Sequence, residues 1–424
     1  VRGLRAAVIA VAILFCASSS FGYSVLTHEQ MVDLLWASYM RPLIVQRFPN
    51  LTEEQIKTAH AYAYGGSVIQ DLGYYPFGST EFSDLVHYVR SGDFVREMIK
   101  DSRDEKEYAF ALGALAHYVS DVDGHPAVNQ AVALHYPKLR ARYGSRVTYA
   151  EDKSAHLKTE FGFDVSQVAK HRYAPEDYHN FIGFEVSEPL LERVFPVIYG
   201  MELKDVLTHE ELAVGSYRWA ISQMIPKMTK VALQIHGKEM VNETPNFQKR
   251  KFLYRLRRAD YENAWGKKYQ RPGFGTRFLA ALFRLVPKIG PFKGLDFNSP
   301  SKQTEDLYIA SINKTFEDCR SFLERAKGDP PDLPDRDLDT GEVTRPAEYS
   351  LADQTYGRLV VQLANKKFAQ TSPDLRDNIL HFYEHATPPP PAKKHEVKWD
   401  QVTAAVNQLK VAQPAAPAPL NPSE

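Results

Sequence analysis

Cysteine is almost absent: Cys16 and Cys319 are the only two in 424 residues. That excludes a disulfide framework, because Cys16 falls in a segment expected to be removed and Cys319 then stands alone. Charge of one sign is not in excess either. Fifty-two basic side chains balance 52 acidic ones, without the basic surplus of phosphate-tracking proteins, and no nucleic-acid partner is expected. Long apolar runs are missing. Ala6–Ala17 ("AAVIAVAILFCA") has 12 residues, whereas a bilayer-spanning helix needs about 20. No convincing run of alternating β-branched residues is present, so a sheet has little to be built from.

The same short apolar run has a use. Arg2 and Arg5 precede it and "SSSFG" follows, with small residues at the −3 and −1 positions of a cut after Gly22. Residues 1–22 thus read as a signal peptide, Tyr23 as the new N-terminus, and the product as secreted or periplasmic. Beyond it the pattern is helical. Thr52–Gln55 ("TEEQ") is a capping box opening a helix through Tyr64, and residues 104–121 carry apolar side chains at three-to-four spacing. Gly124 and Pro126 are expected to end that helix. Thr208–Glu211 is a second capping box, opening an amphipathic run to His236. An all-α domain over residues 23–245 is the economical reading.

After residue 245 the composition shifts. "KRKFLYRLRR" (249–258) and "TRFLAALFRLVPKIGPFKGL" (276–295) mix basic and apolar residues, and the second suits peripheral membrane contact. "GDPPDLPDRDLDTGEVTRP" (328–346) reads as a loop or linker. Residues 246–388 form a helical extension of unassigned role, and the Pro/Ala-rich 389–424 a disordered tail.

The histidines carry the chemistry. Seven of 14 lie within residues 28–156. Two pairs, His117 with Asp121 and His156 with Glu160, have the four-residue offset that puts both side chains on one helix face, where they can share an ion. Spacing alone is weak, since a chain this rich in acids forms such pairs by chance. The order says more: Asp71 in a Gly-flanked aromatic loop, His87 on the next helix, then His117, Asp121, His125, His156 and Glu160, with His28 six residues into the mature chain. His60, His135, His171, His179, His209 and His236 read as structural, and His381 with His385 as a terminal helix face.

In this order the chain resembles the zinc-dependent phospholipase C / S1–P1 nuclease superfamily across residues 23–245. The resemblance implies an all-α, multi-helix fold with up to three Zn2+ ions and a helical C-terminal extension beyond it. It implies Asp71, His87, His117 and Asp121 at the first zinc, and His125, His156 and Glu160 at the second. The third would take the amine and carbonyl of Tyr23, with His28 and a bridging Asp121. Zinc accepts this imidazole–carboxylate set and activates water for attack on phosphorus. The implied activity is phosphodiester hydrolysis with a phospholipid substrate, with Asp71 and Glu160 as carboxylates that orient or deprotonate the water. "GGSVIQDLGYYPFG" resembles the phospholipase branch.

There are departures. Only three residues separate Asp121 from His125, fewer than in the family pattern, which leaves Asp123 as an alternative ligand. Leu72 and Asp84 stand where choline-selective members have aromatics, so phosphatidylcholine preference is not supported, and Tyr74, Tyr75 and Phe77 are the candidate pocket residues. A single-strand nuclease or 3′-nucleotidase of the same superfamily is one alternative. A lipid- or surface-binding module with structural zinc is the other.

Overall fold

The computed structural model describes residues 25–170, 183–221, 297–326, 330–384 and 397–412, with 225, 228, 229, 232 and 386 between them. The segments 249–258 and 276–295, the signal region and Tyr23 lie outside the described residues. Within them there are fifteen α-helices and no strand; the nearest thing to one is an isolated antiparallel bridge between Arg336 and Val343. The all-α expectation holds. No helix among the described residues is long and apolar enough to cross a membrane.

The helices run in order as α1 (Val25–Leu35), a π turn (Trp36–Met40), α2 (Arg41–Arg47), α3 (Glu53–Gly66), a 3-10 turn (Ile69–Tyr74), α4 (Thr80–Tyr88) and α5 (Ser91–Asp101). Then come α6 (Glu105–His135), α7 (Pro137–Tyr143), α8 (Lys153–Ala169), α9 (Glu188–Tyr199), α10 (Leu203–Val206) and α11 (Glu210–Trp219). The C-terminal set is α12 (Lys302–Arg325), α13 (Ser350–Asn365), α14 (Pro373–Tyr383) and α15 (Trp399–Val411). The last of these lies in the stretch expected to be a disordered tail; its Val402, Ala405, Val406 and Leu409 are buried, so an apolar stripe orders what composition alone would leave loose.

The middle of the molecule is α6. Its start is fixed by the Asp104 side chain, which accepts from the backbone N–H groups of Lys106 and Glu107. It is buried around most of its circumference, against α3 on one side and α12 on another. The approach to α3 is set by glycine. A Cβ on Gly66 would lie 1.9 Å from the Phe110 carbonyl oxygen, and one on Gly113 would lie 2.1 Å from that of Ala63. Backbone thus meets backbone, as side chains larger than hydrogen would forbid. The capping box at Thr52 forms as expected and starts α3.

Two helix-boundary expectations fail. The helix does not end at Gly124 and Pro126: α6 runs on to His135 with Pro126 inside it. Pro126 has no N–H for the carbonyl of Val122. That carbonyl lies instead against Gly341, where a Cβ would come within 2.3 Å of it. Tertiary contact covers the fault that the sequence rule relies on. At the second site, Thr208 makes no cap; α11 starts at Glu210 after His209, without a side-chain cap hydrogen bond.

A single buried apolar cluster extends from Val25 to Leu409, so the residues after 297 share a core with those before 221. The strap between α12 and α13, read above as a linker, is laid across α4, α5 and α6. Tyr118 donates to the Pro334 carbonyl (2.5 Å), and Asp335 accepts from the N–H groups of Gly92 and Asp93.

Candidate metal centre

The five elements that carry the predicted ligands converge at the middle of α6. His28 comes from α1, Asp71 from the 3-10 turn, His87 from α4, His117, Asp121 and His125 from α6, and His156 and Glu160 from α8. All eight are buried. Continuity of α6 through Pro126 places His117, Asp121 and His125 on successive turns of one face. The short Asp121–His125 spacing is the ordinary four-residue step of an unbroken helix.

Ligand atoms form three groups, each with its atoms within 4.8 Å of one another: Asp71, His87 and His117; His28, His117 and Asp121; and His125, His156 and Glu160. Asp121 divides its oxygens. Oδ1 is 3.4 Å from His28 Nε2, while Oδ2 is 3.0 Å from His117 Nε2 and 3.5 Å from His87 Nε2. Asp71 Oδ1 is 3.5 Å from His87 Nε2. Glu160 Oε1 sits 2.6 Å from His156 Nε2 and 3.6 Å from His125 Nε2. The first and second groups share His117, and the rings of His28 and His117 stack at 4.2 Å.

Backbone carbonyls set the imidazole tautomers. Nδ1 of His87 meets the Ser83 carbonyl (2.8 Å), Nδ1 of His117 that of Ser67 (2.9 Å) and Nδ1 of His125 that of Leu338 (2.5 Å). A carbonyl only accepts, so each Nδ1 carries a proton and donates, and each Nε2 is left to face the centre. This is the arrangement around metal-ligating histidine. Ser67 lies just past α3, so the close glycine packing of α3 on α6 is what brings its carbonyl to His117.

Whether such a set suits a metal can be tested on the polar atoms. Both oxygens of Asp71, Asp121 and Glu160, and Nε2 of His117 and His125, make no hydrogen bond among the described residues although all are buried. Leaving even one such group unpaired costs about 1–3 kcal/mol. A divalent cation would engage them together, and nitrogen–oxygen donors of this kind suit zinc. The donor set fits.

Burial and neighbours shift the titrations. Burial, with His117 close by, holds His28 well below the usual imidazole range, and burial with His125 nearby does the same for His156. Both are therefore neutral, as ligands must be. Burial also raises Asp71, and it raises Glu160 well above the usual carboxylate range, with Asp121 adding to the second shift. Burial pushes Asp121 up too, but His117 and His125 outweigh it and hold the carboxyl well below its ordinary value. For His87, the nearby Asp121 and Asp71 carboxylates outweigh burial and raise the imidazole well above its ordinary value.

Asp123 points away. It pairs with Lys314 of α12, so His125 and not Asp123 joins the third group. Of the aromatic candidates, the Tyr74 ring lies 5.9 Å from that of His87, Tyr75 packs on Tyr217, and Phe77 is half exposed. Asp84 is held by Arg358 at 2.6 Å. The histidines read as structural behave so where they are described: His60 stacks on Trp36 and Tyr64, and His135 meets Thr304.

Some neighbours of the site were not legible. Tyr149 stands 5.8 Å from His156 and 6.5 Å from Tyr74 by ring centroids, so these two tyrosines bridge the first and third groups. Leu338 and Asp339 come from the strap; the acidic "DRDLDTGE" there looked only like a polar loop.

Fold and donors together define a class: an all-helical protein built around a buried centre of imidazole and carboxylate ligands. Residues 27–208 match the family model of zinc-dependent phospholipase C. The match supports a phospholipase C-like hydrolase that uses zinc. No curated protein and no solved structure matches the chain.

Proposed function

We propose that the protein is a secreted zinc metallohydrolase that cleaves phosphodiester bonds of phospholipids. The observation that supports this most is the convergence of three buried histidine–carboxylate groups, in which both oxygens of Asp71, Asp121 and Glu160 and Nε2 of His117 and His125 make no hydrogen bond among the described residues. In this reading Asp71, His87, His117 and Asp121 hold one ion, His125, His156 and Glu160 a second, and His28, Asp121 and the N-terminal residue Tyr23 a third. Zinc bound there supplies an acidified water near neutral pH and charge stabilisation for the phosphoryl oxygens.

The chain's own groups do the rest. Asp121, with its two oxygens facing different histidines, ties the His28 group to the His87–His117 group. Asp71 and Glu160 are the carboxylates set to orient or deprotonate the water. Tyr74 and Tyr149, lying between His87 and His156, form an apolar wall for the substrate beside the phosphate. Asp164, four residues after Glu160, fixes the start of α1: it accepts from the Leu26 N–H (2.9 Å) and the Thr27 hydroxyl (2.6 Å), and so seats His28.

Export supplies the N-terminal ligand in this proposal, through cleavage after Gly22. The test is intact mass and zinc content of the exported protein, with turnover of mixed phospholipid vesicles before and after chelation. A chain starting at Tyr23, with about three zinc ions and chelator-sensitive release of phosphorylated head group, is expected. Turnover untouched by chelation sinks the reading.

A further inference from the structure

The strap between α12 and α13 lies outside the family-matched residues, yet the backbone of one of its residues touches members of two groups. The Leu338 carbonyl accepts from His125 Nδ1 (2.5 Å), and the Leu338 N–H donates to the His87 carbonyl (3.2 Å). The next residue is what holds that backbone. Asp339 Oδ2 accepts from the hydroxyls of Tyr88 (2.9 Å) and Tyr349 (2.5 Å), and its backbone carbonyl accepts from Asn129 Nδ2 (2.9 Å). Its own N–H donates to Asp337 Oδ1 (2.9 Å), and Oδ1 of Asp339 lies 3.8 Å from His125 Nδ1. Tyr88 follows His87 on α4, and Asn129 is one turn past His125 on α6. The side chain is buried.

We propose that Asp339 is a positioning residue of the metal centre, holding the Leu338 peptide and thereby the tautomer and ring orientation of His125. The proposal rests on reading His125, His156 and Glu160 as a metal site. Three features argue for it over simple loop anchoring. The carboxylate stands beside the imidazole whose Nδ1 proton it favours, which makes Nε2 the better donor. Two of its anchors, Tyr88 and Asn129, belong to the helices that carry His87 and His125. The strap is also fitted to the irregular turn of α6, where Gly341 meets the Val122 carbonyl left unpaired by Pro126, one residue after His125.

The test uses the full chain, stripped with chelator and titrated with Co2+ alone, since the visible bands of cobalt report its ligand geometry. Asp339→Ala is expected to weaken one cobalt equivalent by about 10–100-fold and to alter its bands, the usual size of losses outside the ligand shell. Asp339→Asn, which keeps an acceptor for the two tyrosines, should recover most of that affinity. Wild-type bands and affinity in Asp339→Ala overturn the proposal. So does an equal loss of every equivalent with an equal fall in apo-protein unfolding temperature in both variants, because that is scaffold damage. If Asp339→Ala does not fold, Tyr349→Phe carries the test: a smaller shift in the same direction supports the proposal, and no shift defeats it. A wild-type chain that binds no cobalt would remove the metal-site reading beneath it, a result distinct from any variant effect.

Discussion

His28 Nε2 and Asp121 Oδ1 stand 3.4 Å apart, one at the start of the described chain and the other in the middle of α6. The other oxygen of the same carboxylate faces His117 and His87. One aspartate therefore joins α1 to α4 across α6, and no hydrogen bond among the described residues satisfies either oxygen. Its depressed titration follows from the histidines around it. Cations in the space between it and the imidazoles would offset the cost of that burial.

Asp121→Ala is accordingly predicted to lose more zinc than a change at any other single position. Both groups that it faces should fail, with activity falling more than 100-fold, beyond the roughly 10–100-fold typical of residues that only support ligands. Metal analysis and vesicle turnover on the same sample check this. Full activity with unchanged zinc would remove Asp121 from the centre.

His125 and Asp123 separate the two accounts of the third group. Asp123 pairs with Lys314, whereas His125 faces Glu160 and His156. His125→Ala should release about one zinc and most of the activity, while Asp123→Asn keeps its zinc. Loss of metal from the asparagine variant, with His125→Ala intact, reverses the assignment.

Much of this centre could be read from order and spacing, because imidazole–carboxylate pairs four apart report a helix face directly. The eight described candidates lie together, with His125, His156 and Glu160 grouped as expected, while Asp121 groups with His28 and His117 and not with Asp71 and His87. What could not be read was tertiary. Pro126 signals a helix end, yet Gly341, over two hundred residues on, meets the carbonyl that the proline leaves behind. Thr208 and Glu211 have the letters of a capping box, but the chain enters α11 at Glu210. Asp339 acts through a loop whose composition resembles any solvated linker. Local rules report local hydrogen bonds; they are silent on acceptors supplied from elsewhere in the chain.

The tyrosine wall gives a prediction that does not depend on ligand loss. Tyr149 and Tyr74 lie beside His156 and His87 without belonging to any ligand group. Tyr149→Ala should keep its zinc and raise KM several-fold, with a smaller change in kcat, as removal of uniform binding does. Steady-state kinetics on short-chain phospholipid settle it; a variant with unchanged KM places the substrate elsewhere.

Close packing of α3 on α6 makes a stability prediction. Alanine in a helix gains about 1 kcal/mol over glycine from propensity. At Gly113 the added Cβ would meet the Ala63 carbonyl at 2.1 Å, a backbone atom that no side-chain rotation relieves. Overpacking of that sort costs about 1–3 kcal/mol or more, so Gly113→Ala should be less stable than wild type despite the propensity gain. Parting the helices also draws Ser67 from His117, so zinc should be lost more readily. Chemical denaturation with and without chelator measures both, and a stabilised variant would show that the helices do not approach this closely.

Acid sensitivity has a source away from the metal. His60 is buried between Trp36 and Tyr64, with Asp33 Oδ1 3.8 Å from its Nε2; burial dominates and lowers its pKa to about 3. An unfolded histidine titrates near 6.5. Between those values the unfolded chain holds a proton that the folded one lacks, so stability falls as pH drops from 6.5 towards 3 and is unaffected above. The slope due to this one group is about 1.4 kcal/mol per pH unit inside that window. His60→Phe keeps an aromatic ring in the stack and removes the titration. Its unfolding free energy, measured beside wild type at several pH values in one zinc-buffered solution, should show a slope shallower by about that amount below pH 6.5 and a parallel line above it. Parallel lines throughout would mean that His60 takes up its proton without leaving the folded state.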